Sequence, residues 1–380
     1  MDLMPYLALM AQKQASDLFM SVGAPPCIKI DGVTSAIAPD RLSTAEVSAM
    51  ALSVMNDRQQ RDFAADWEMN LALGIEGVGR FRINVYRQRG EPALAVRYIT
   101  DRIPTIDELH LPARLKDIVM LQRGLVLLVG ATGTGKSTTL AAMIDHRNQS
   151  VTGHILCVED PVEYVHAHRM SVVDQREIGF DTMSYEQALK NALRQAPDVI
   201  LIGEVRDRET MQAAIAYADT GHLCLATLHA SNANQALDRI INLFPESARL
   251  QLLIDLSLNL KAVIGQRLLK GAQSKRIPAV EIMLLTPYIA DLIAKGDVST
   301  VRDAMKAGRE VGMQTFDQAL FDLYVRGEIA LAEALAHADS KTDLGLRIRL
   351  HESKVGGLTE FGSMALHDPE ADEGDAGKSS

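Results

Sequence analysis

The sequence of 380 residues predicts an α/β fold with a mostly parallel central sheet, and three observations carry that prediction. The stretch Gly130-Ala131-Thr132-Gly133-Thr134-Gly135-Lys136-Ser137 fills every position of the phosphate-loop pattern G-x-x-x-x-G-K-[ST]. An apolar run over 125–129 leads into it and a segment of helical periodicity over 138–144 leads out, the order strand, loop, helix. Three further apolar runs, at 155–158, 199–202 and 223–229, are separated by segments of helical length. Continuous apolar strands alternating with helices mark a parallel sheet covered on both faces.

Taken in order, residues 3–15 carry apolar positions at helical spacing, and alternation over 18–30 followed by Asp31-Gly32 predicts a hairpin. Ser43 and Glu46 fit a capping box opening a helix over 43–55. Residues 70–73, 79–86 and 93–99 read as strands, so the first hundred residues form a small α/β domain with an antiparallel sheet, joined to the rest near Pro104. Alternation puts Arg80 and Arg82 on one face of their strand while Phe81, Ile83 and Val85 face the core; Arg97 lies on a nearby strand. Such a face is either a solvated basic surface or the source of an arginine finger, because a guanidinium matches phosphate geometry.

Beyond the apolar runs, amphipathic helices are expected over 233–241 and 249–260, then a strand pair at 261–269 and 279–285. Short helices follow over 287–294, 300–307, 313–325 and 331–338. Residues 356–380 are rich in Gly, Ser, Asp and Glu, and this end reads as a disordered acidic tail. The expected division is 1–103, 104–350 and a tail over 351–380.

A hydrophobic share of 47% and a charged share of 23% are those of a globular protein. The net charge of -10 gives the chain as a whole no footprint for nucleic acid, although net charge describes no particular face and leaves room for a local basic groove. Cys27, Cys157 and Cys224 are widely spaced in apolar contexts, which suggests neither a zinc site nor a disulfide framework but buried thiols in a reducing compartment. The first residues carry no basic signal-like region and no apolar run approaches the roughly 20 residues of a membrane span, so a cytosolic protein is expected.

The chemistry follows from the loop. A triphosphate needs many donors at close range, and glycines let backbone N–H groups approach it. A helix start adds unpaired N–H groups and roughly half a positive charge from the aligned peptide dipoles. Lys136 would reach the β- and γ-phosphates and the Ser137 hydroxyl would ligate Mg2+, so the expected ligands are ATP and Mg2+. Ligands of parallel sheets bind outside the carboxyl ends of strands, where Gly130, Glu159, Glu204 and His229 stand. Glu204 closes an apolar strand, the place for an acid that polarises water or holds Mg2+ through it. Glu159, Asp160 and Glu163 form a second acidic group suited to orienting Mg2+ and water: Glu159 and Asp160 join Ser137 as metal candidates and Glu163 joins the catalytic ones. His222 and His229 bracket one strand; at least one is expected to sense the nucleotide.

Four ordered boxes resemble one family, the secretion ATPases of type II and type IV pilus systems, in the retraction branch of PilT and PilU. They are the phosphate loop continued to Thr138, Ile155-Leu-Cys-Val-Glu-Asp-Pro-Val-Glu163, Asp198-Val-Ile-Leu-Ile-Gly-Glu-Val-Arg-Asp207 and Thr220-Gly-His-Leu-Cys-Leu-Ala-Thr-Leu-His229. Residues 15–20 and 79–85 look like that family's PAS-like domain.

The resemblance implies a homohexamer of PAS-like and RecA-like domains with a helical C-terminal part. ATP would sit between the domains, with Arg80, Arg82 and Arg97 completing the site. Glu204 would be the catalytic glutamate, His222 and His229 the sensing histidines. The ring would act at the inner membrane on a pilus platform protein and drive retraction, hence twitching motility. One departure stands out: after the Thr-Pro turn the PilT branch carries Ala-Ile-Arg-Asn-Leu-Ile, whereas here Thr286-Pro287-Tyr288 continues as Ile289-Ala290-Asp291-Leu292-Ile293. The missing arginine and the acidic tail favour a PilU-type paralogue, which opens a second reading: an accessory subunit beside a PilT-type paralogue, its own hydrolysis dispensable. A DNA-translocating motor is disfavoured by acidity and by the lack of a basic aromatic strip.

Overall fold

The computed structural model describes residues 2–30, 32–99, 102–272 and 276–361, the side chains of 354–361 excepted. Its first part carries α1 (Met4–Lys13), strands β1 (Asp17–Ser21), β2 (Cys27–Ile30) and β3 (Val33–Ala36), α2 (Thr44–Ser53), α3 (Asp57–Asp66), then β4 (Glu68–Ile75), β5 (Gly79–Gln88) and β6 (Glu91–Ile99). The six strands form one sheet in the order β3-β2-β1-β6-β5-β4, and every pairing is antiparallel. The expected hairpin is the β2–β3 pair, turning at Gly32 with φ +83°, a conformation that favours glycine. The capping box forms as expected: Ser43 N–H donates to Glu46 at 2.8 Å and the Ser43 hydroxyl accepts from Glu46 N–H.

Period-2 alternation explains which face of this sheet is covered. Phe81, Ile83 and Val85 are fully buried against Leu7, Met10, Val47 and Met50 of α1 and α2, while Arg80 and Arg82 point the other way. Burying each large apolar side chain stabilises the fold by about 1.5–3 kcal/mol. One charge on that inner face would lose such a term and add an unpaired buried charge.

The second part starts with α4 (Arg114–Val119) and alternates through β7 (Gly124–Val129), α5 (Lys136–Ser150), β8 (Gly153–Glu159), β9 (Ser171–Glu177), α6 (Tyr185–Ala192), β10 (Val199–Ile202), α7 (Arg208–Asp219), β11 (Leu223–Leu228), α8 (Ala233–Leu243) and α9 (Glu246–Asn259). Then come β12 (Leu260–Lys270), β13 (Arg276–Leu284), α10 (Pro287–Lys295), α11 (Val298–Ala307), α12 (Phe316–Val325), α13 (Leu331–Ala336) and α14 (Lys341–Phe361). The sheet runs β13-β12-β7-β11-β10-β8-β9, parallel except for the antiparallel β12–β13 edge pair.

Strands β7, β10 and β11 are buried at every residue because helices cover both faces. Along β7, Leu125, Leu127 and Val129 enter one core while Val126 and Leu128 enter the other. That is why these strands read as unbroken apolar runs.

Two expectations are corrected. The helix expected over 313–325 begins only at Phe316, because Gln314 pairs with Ile282 and the Thr315 hydroxyl accepts from Gln318 N–H as a cap. The tail expected over 351–380 is too long: α14 continues to Phe361. Gly356 and Gly357 each cost a helix about 1 kcal/mol relative to alanine, but extending a helix whose Leu344 and Ile348 are already packed needs no new nucleus. The remaining tail residues, 362–380, lie outside the described residues.

Candidate active site

The carboxyl ends of β7, β8, β10 and β11 open on a cleft of about 740 Å³. Its walls include Gly133, Gly135, Lys136, Ser137 and Thr138 from the phosphate loop, with Glu159, Asp160, Glu163, Glu204 and His229 from the strand ends. The polar groups expected from four separate stretches therefore meet at one place. Parallel pairing brings them together: Val158 lies beside Ile202 and Ile202 beside Ala226, so residues following the three strands are neighbours.

The loop's shape follows from its glycines. Gly133 has φ +79° and open space where a side chain would stand, so backbone faces the cleft. Gly135, φ +87°, opens α5, a helix long enough for its aligned dipoles to favour an anion at that end. Ala131 and Thr132 are exposed, and the Thr134 hydroxyl donates to the Ala131 carbonyl at 2.8 Å, closing the turn. Lys136 is 9% exposed and its ammonium donates to the carbonyls of Gly130 and Ala131, both at 2.9 Å. Burial pushes its pKa below the ordinary lysine value, and nearby Glu204 opposes that shift. The Thr138 hydroxyl is 2.9 Å from the Tyr164 hydroxyl.

Glu204 sits between two basic side chains. One carboxylate oxygen is 3.0 Å from His229 Nε2 and the other accepts from Arg206 Nε at 2.7 Å. Arg206 also reaches Asp160 at 3.3 Å, joining the turns after β8 and β10. Backbone ties hold these turns: Gly203 N–H donates to the Val158 carbonyl and Val205 N–H to the Thr227 carbonyl, each at 2.8 Å. A Cβ on Gly203 would stand 3.1 Å from the Glu159 Cα, so close strand approach requires glycine there. The His229 carbonyl accepts from Arg239 at 2.7 Å.

Glu159 occupies a different setting. Its carboxyl accepts from Gln175 Nε2 at 3.1 Å, and burial lifts its pKa to about 7, with Gln175 opposing and Glu163 and Glu177 reinforcing the rise. His166, 8% exposed in the same wall, is pushed down to about 4 by burial, against the pull of Asp145.

The N-terminal arginines divide. Arg82 approaches Glu163 at 3.7 Å and Arg80 approaches Glu177 at 4.0 Å, so both lie against the part of the chain that carries the parallel sheet. The Arg82 Nε and Nη2 atoms are buried and make no hydrogen bond. Arg97 stands opposite Arg82 in register but is drawn to Asp17 on β1 at 3.0 Å. None of the three lines the cleft itself, and Arg82 is the one paired with a lining residue, Glu163. His222 is likewise away from the cleft. It precedes β11 whereas His229 follows it, roughly 20 Å along the strand by ordinary strand rise, and its Nδ1 lies 3.1 Å from the Thr220 hydroxyl. Bracketing a parallel strand separates two residues by its full length.

Two residues beside the loop and Glu204 were not among the sequence candidates. Arg206 lay inside a quoted box, two residues after Glu204. Gln266 interrupts the apolar run of β12 and is 3% exposed; a lone glutamine in such a run signals a buried partner.

The donor set fits a nucleotide. The loop offers backbone and a helix start, and the cleft adds a buried lysine and a strand-end acid. For Mg2+, the described residues hold no convergent group of three or more His, Cys, Asp or Glu side chains, so protein acids do not form a cage by themselves. That fits a metal taken through a hydroxyl, phosphate oxygens and water. No described helix is long and apolar enough to cross a membrane.

Comparison with known proteins agrees with this geometry. Residues 2–335 match the family described as Type II/IV secretion system protein. The chain is 53% identical to the type IV pilus ATPase PilU of Pseudomonas aeruginosa over 97% of this chain and 98% of that one. It is 40% identical to the type IV pilus retraction ATPase PilT of the same organism, over 88% of this chain and 97% of that one. The crystal structure of the pilus retraction motor PilT with bound ADP matches with a TM-score of 0.85 at 37% identity, covering 90% of this chain and 98% of that chain. The chain therefore belongs to the type II/IV secretion system protein family, in the ATPase branch of PilU and PilT.

Proposed function

We propose that this chain hydrolyses ATP with Mg2+ as a subunit of a hexameric motor that drives or assists type IV pilus retraction, and hence twitching motility. The observation that carries the chemistry is Glu204 beside the phosphate loop, held between His229 and Arg206. In this reading Gly130 to Thr138 bind the phosphates, Lys136 places its ammonium on the β- and γ-phosphates, and Glu204 takes a proton from the attacking water. His229 orients Glu204, while Glu163 orients water. Ser137, with Asp160 and Glu159, would hold the metal directly or through water. Bound Mg2+ would neutralise charge on the phosphate oxygens.

Arg82 and Arg80 border the site from the N-terminal domain, which we read as PAS-like on its antiparallel sheet with α1 and α2 packed on one face. As fingers, they would leave Glu163 and Glu177 for phosphate when the domains close. Closure propagated around a ring would turn hydrolysis into motion of a membrane platform protein. The similarity to PilU supports the pilus assignment. With a pilus machine we place the chain in the cytoplasm, at the inner membrane.

The decisive measurement is on the purified chain: mass in solution and ATP hydrolysis with and without Mg2+. A chain that hydrolyses nothing with Mg2+, or a Glu204→Gln variant as fast as its parent, would overturn the assigned chemistry. The accessory reading is favoured by Ala290, which stands on α10 where the PilT branch carries arginine. Retraction in cells carrying Lys136→Ala beside an intact PilT-type paralogue would favour that reading; loss of retraction would favour the motor.

A further inference from the structure

Strand β12 runs parallel to β7, with Gly265 beside Val129, so Gln266 stands alongside the first residue of the phosphate loop. Its side chain is buried and both ends of its amide are used. Nε2 donates to the Thr134 carbonyl at 2.9 Å, and Oε1 accepts from the Thr139 hydroxyl at 2.7 Å. Thr134 lies in the loop; Thr139, 1% exposed, lies on the first turn of α5. One amide therefore spans the junction where backbone leaves the loop and enters the helix.

Steric contacts place the same residue against both ends of the loop. A Cβ on Gly130 would stand 2.6 Å from the Gln266 carbonyl oxygen, and one on Gly135 2.9 Å from Gln266 Nε2. Two of the pattern's glycines are thus needed partly because Gln266 occupies the adjoining space. The strand is anchored too. Arg267 binds Asp339 at 2.6 Å and the Ser231 carbonyl at 3.2 Å, and stacks 3.8 Å from the Phe316 ring centroid.

We infer that Gln266 is a positioning residue for the nucleotide, holding the phosphate loop and the start of α5 in the geometry that receives the phosphates. The inference rests on the loop being the ATP site. Replacing the amide frees two buried polar partners, and the Thr134 carbonyl gains the freedom to rotate the peptide that precedes Gly135. Loop N–H groups then have to be reordered by each nucleotide that binds, so the loss falls on affinity more than on chemistry.

The test measures ADP affinity by calorimetry and steady-state ATP hydrolysis on full-length Gln266→Met, Gln266→Glu, Thr139→Val and the Met/Val double variant, with Lys136→Ala as the site control. Gln266→Met keeps the volume without either hydrogen bond. It should weaken ADP about tenfold and raise KM for ATP by a similar factor, while kcat falls less than about threefold. Gln266→Glu keeps the acceptor for Thr139 but turns a carboxylate oxygen toward the Thr134 carbonyl, and should weaken ADP at least as much. The double variant should bind no worse than Gln266→Met, because both changes break one linkage.

Thermal unfolding without nucleotide separates positioning from folding, since calorimetry at a temperature where every variant is folded reads affinity alone. Parent-like ADP affinity in Gln266→Met beside a Lys136→Ala that no longer binds would overturn this inference and leave the ATP site standing. Losses that multiply in the double variant would overturn it equally. Lys136→Ala binding ADP and hydrolysing ATP as its parent does would remove the site reading and the inference together.

Discussion

Glu159 ends β8 and Glu204 follows the neighbouring parallel strand β10; both line the same cleft, yet their surroundings are opposite. Glu204 lies between an imidazole and a guanidinium, on a turn tied by backbone hydrogen bonds to both neighbouring strands. Glu159 lies in a wall where its polar side-chain partner is the Gln175 amide, its acidic neighbours repel its charge, and burial raises its pKa. Position at a strand end therefore nominates a carboxylate, but the neighbours decide its work. In the proposed reading Glu204 accepts a proton, while Glu159 backs the metal from the wall, directly or through water.

The sharpest way to break this contrast is isosteric substitution. Glu204→Gln should lower kcat by about 10³-fold, the range of a lost general base, while Glu159→Gln should lower it less than tenfold. Equal losses would end the distinction. The arginines extend the contrast to the N-terminal sheet: Arg82→Ala should cost about 10²- to 10³-fold in turnover if it acts as a finger, and Arg97→Ala less than about twofold, because Asp17 already holds it. Steady-state rates at saturating ATP check both.

A smaller effect is expected at the two ends of β11. His229→Asn should reduce kcat about tenfold by loosening Glu204, and His222→Asn should change it less than twofold. A larger loss for His222 would point to a role at a surface outside this cleft.

The smallest effect tests burial by itself, away from the cleft. Glu281 is 2% exposed and accepts from Ala233 N–H at 2.7 Å; burial lifts its carboxyl to about 7, that hydrogen bond opposes the rise, and Asp339 adds to it. A raised acid binds more protons folded than unfolded between about 4.5 and 7. Its contribution is fully present below the unfolded value and is lost as pH rises through that window. Glu281→Gln should therefore match its parent near pH 4 and be more stable above pH 7, by up to about 3 kcal/mol. Denaturant unfolding at the two pH values measures it; a gain confined to low pH would reverse the sign and refute the argument.

The sequence by itself determined the loop, the strands and the family, because each is encoded locally. Glycine spacing sets the phosphate loop, apolar runs set β7, β10 and β11, and Ser43 with Glu46 sets a helix start. It also placed Glu204 and His229 at the site through the rule that ligands meet the carboxyl ends of parallel strands. It assigned no helix over α14: glycines and acids drew the end of that stretch into the expected tail, whereas the helix is anchored by buried Leu344 and Ile348.

Only the tertiary structure separated residues of one type from each other. His222 from His229, Arg97 from Arg82 and Glu159 from Glu204 are distinguished by what folding sets beside them: the length of β11, the Asp17 carboxylate and the Gln175 amide. Gln266 shows the same limit most plainly, since its two side-chain partners lie 132 and 127 residues away. Local pattern tells which side chains can bear charge or hydrogen bonds. Burial and the identity of the facing group, which folding alone supplies, settle which of them can act.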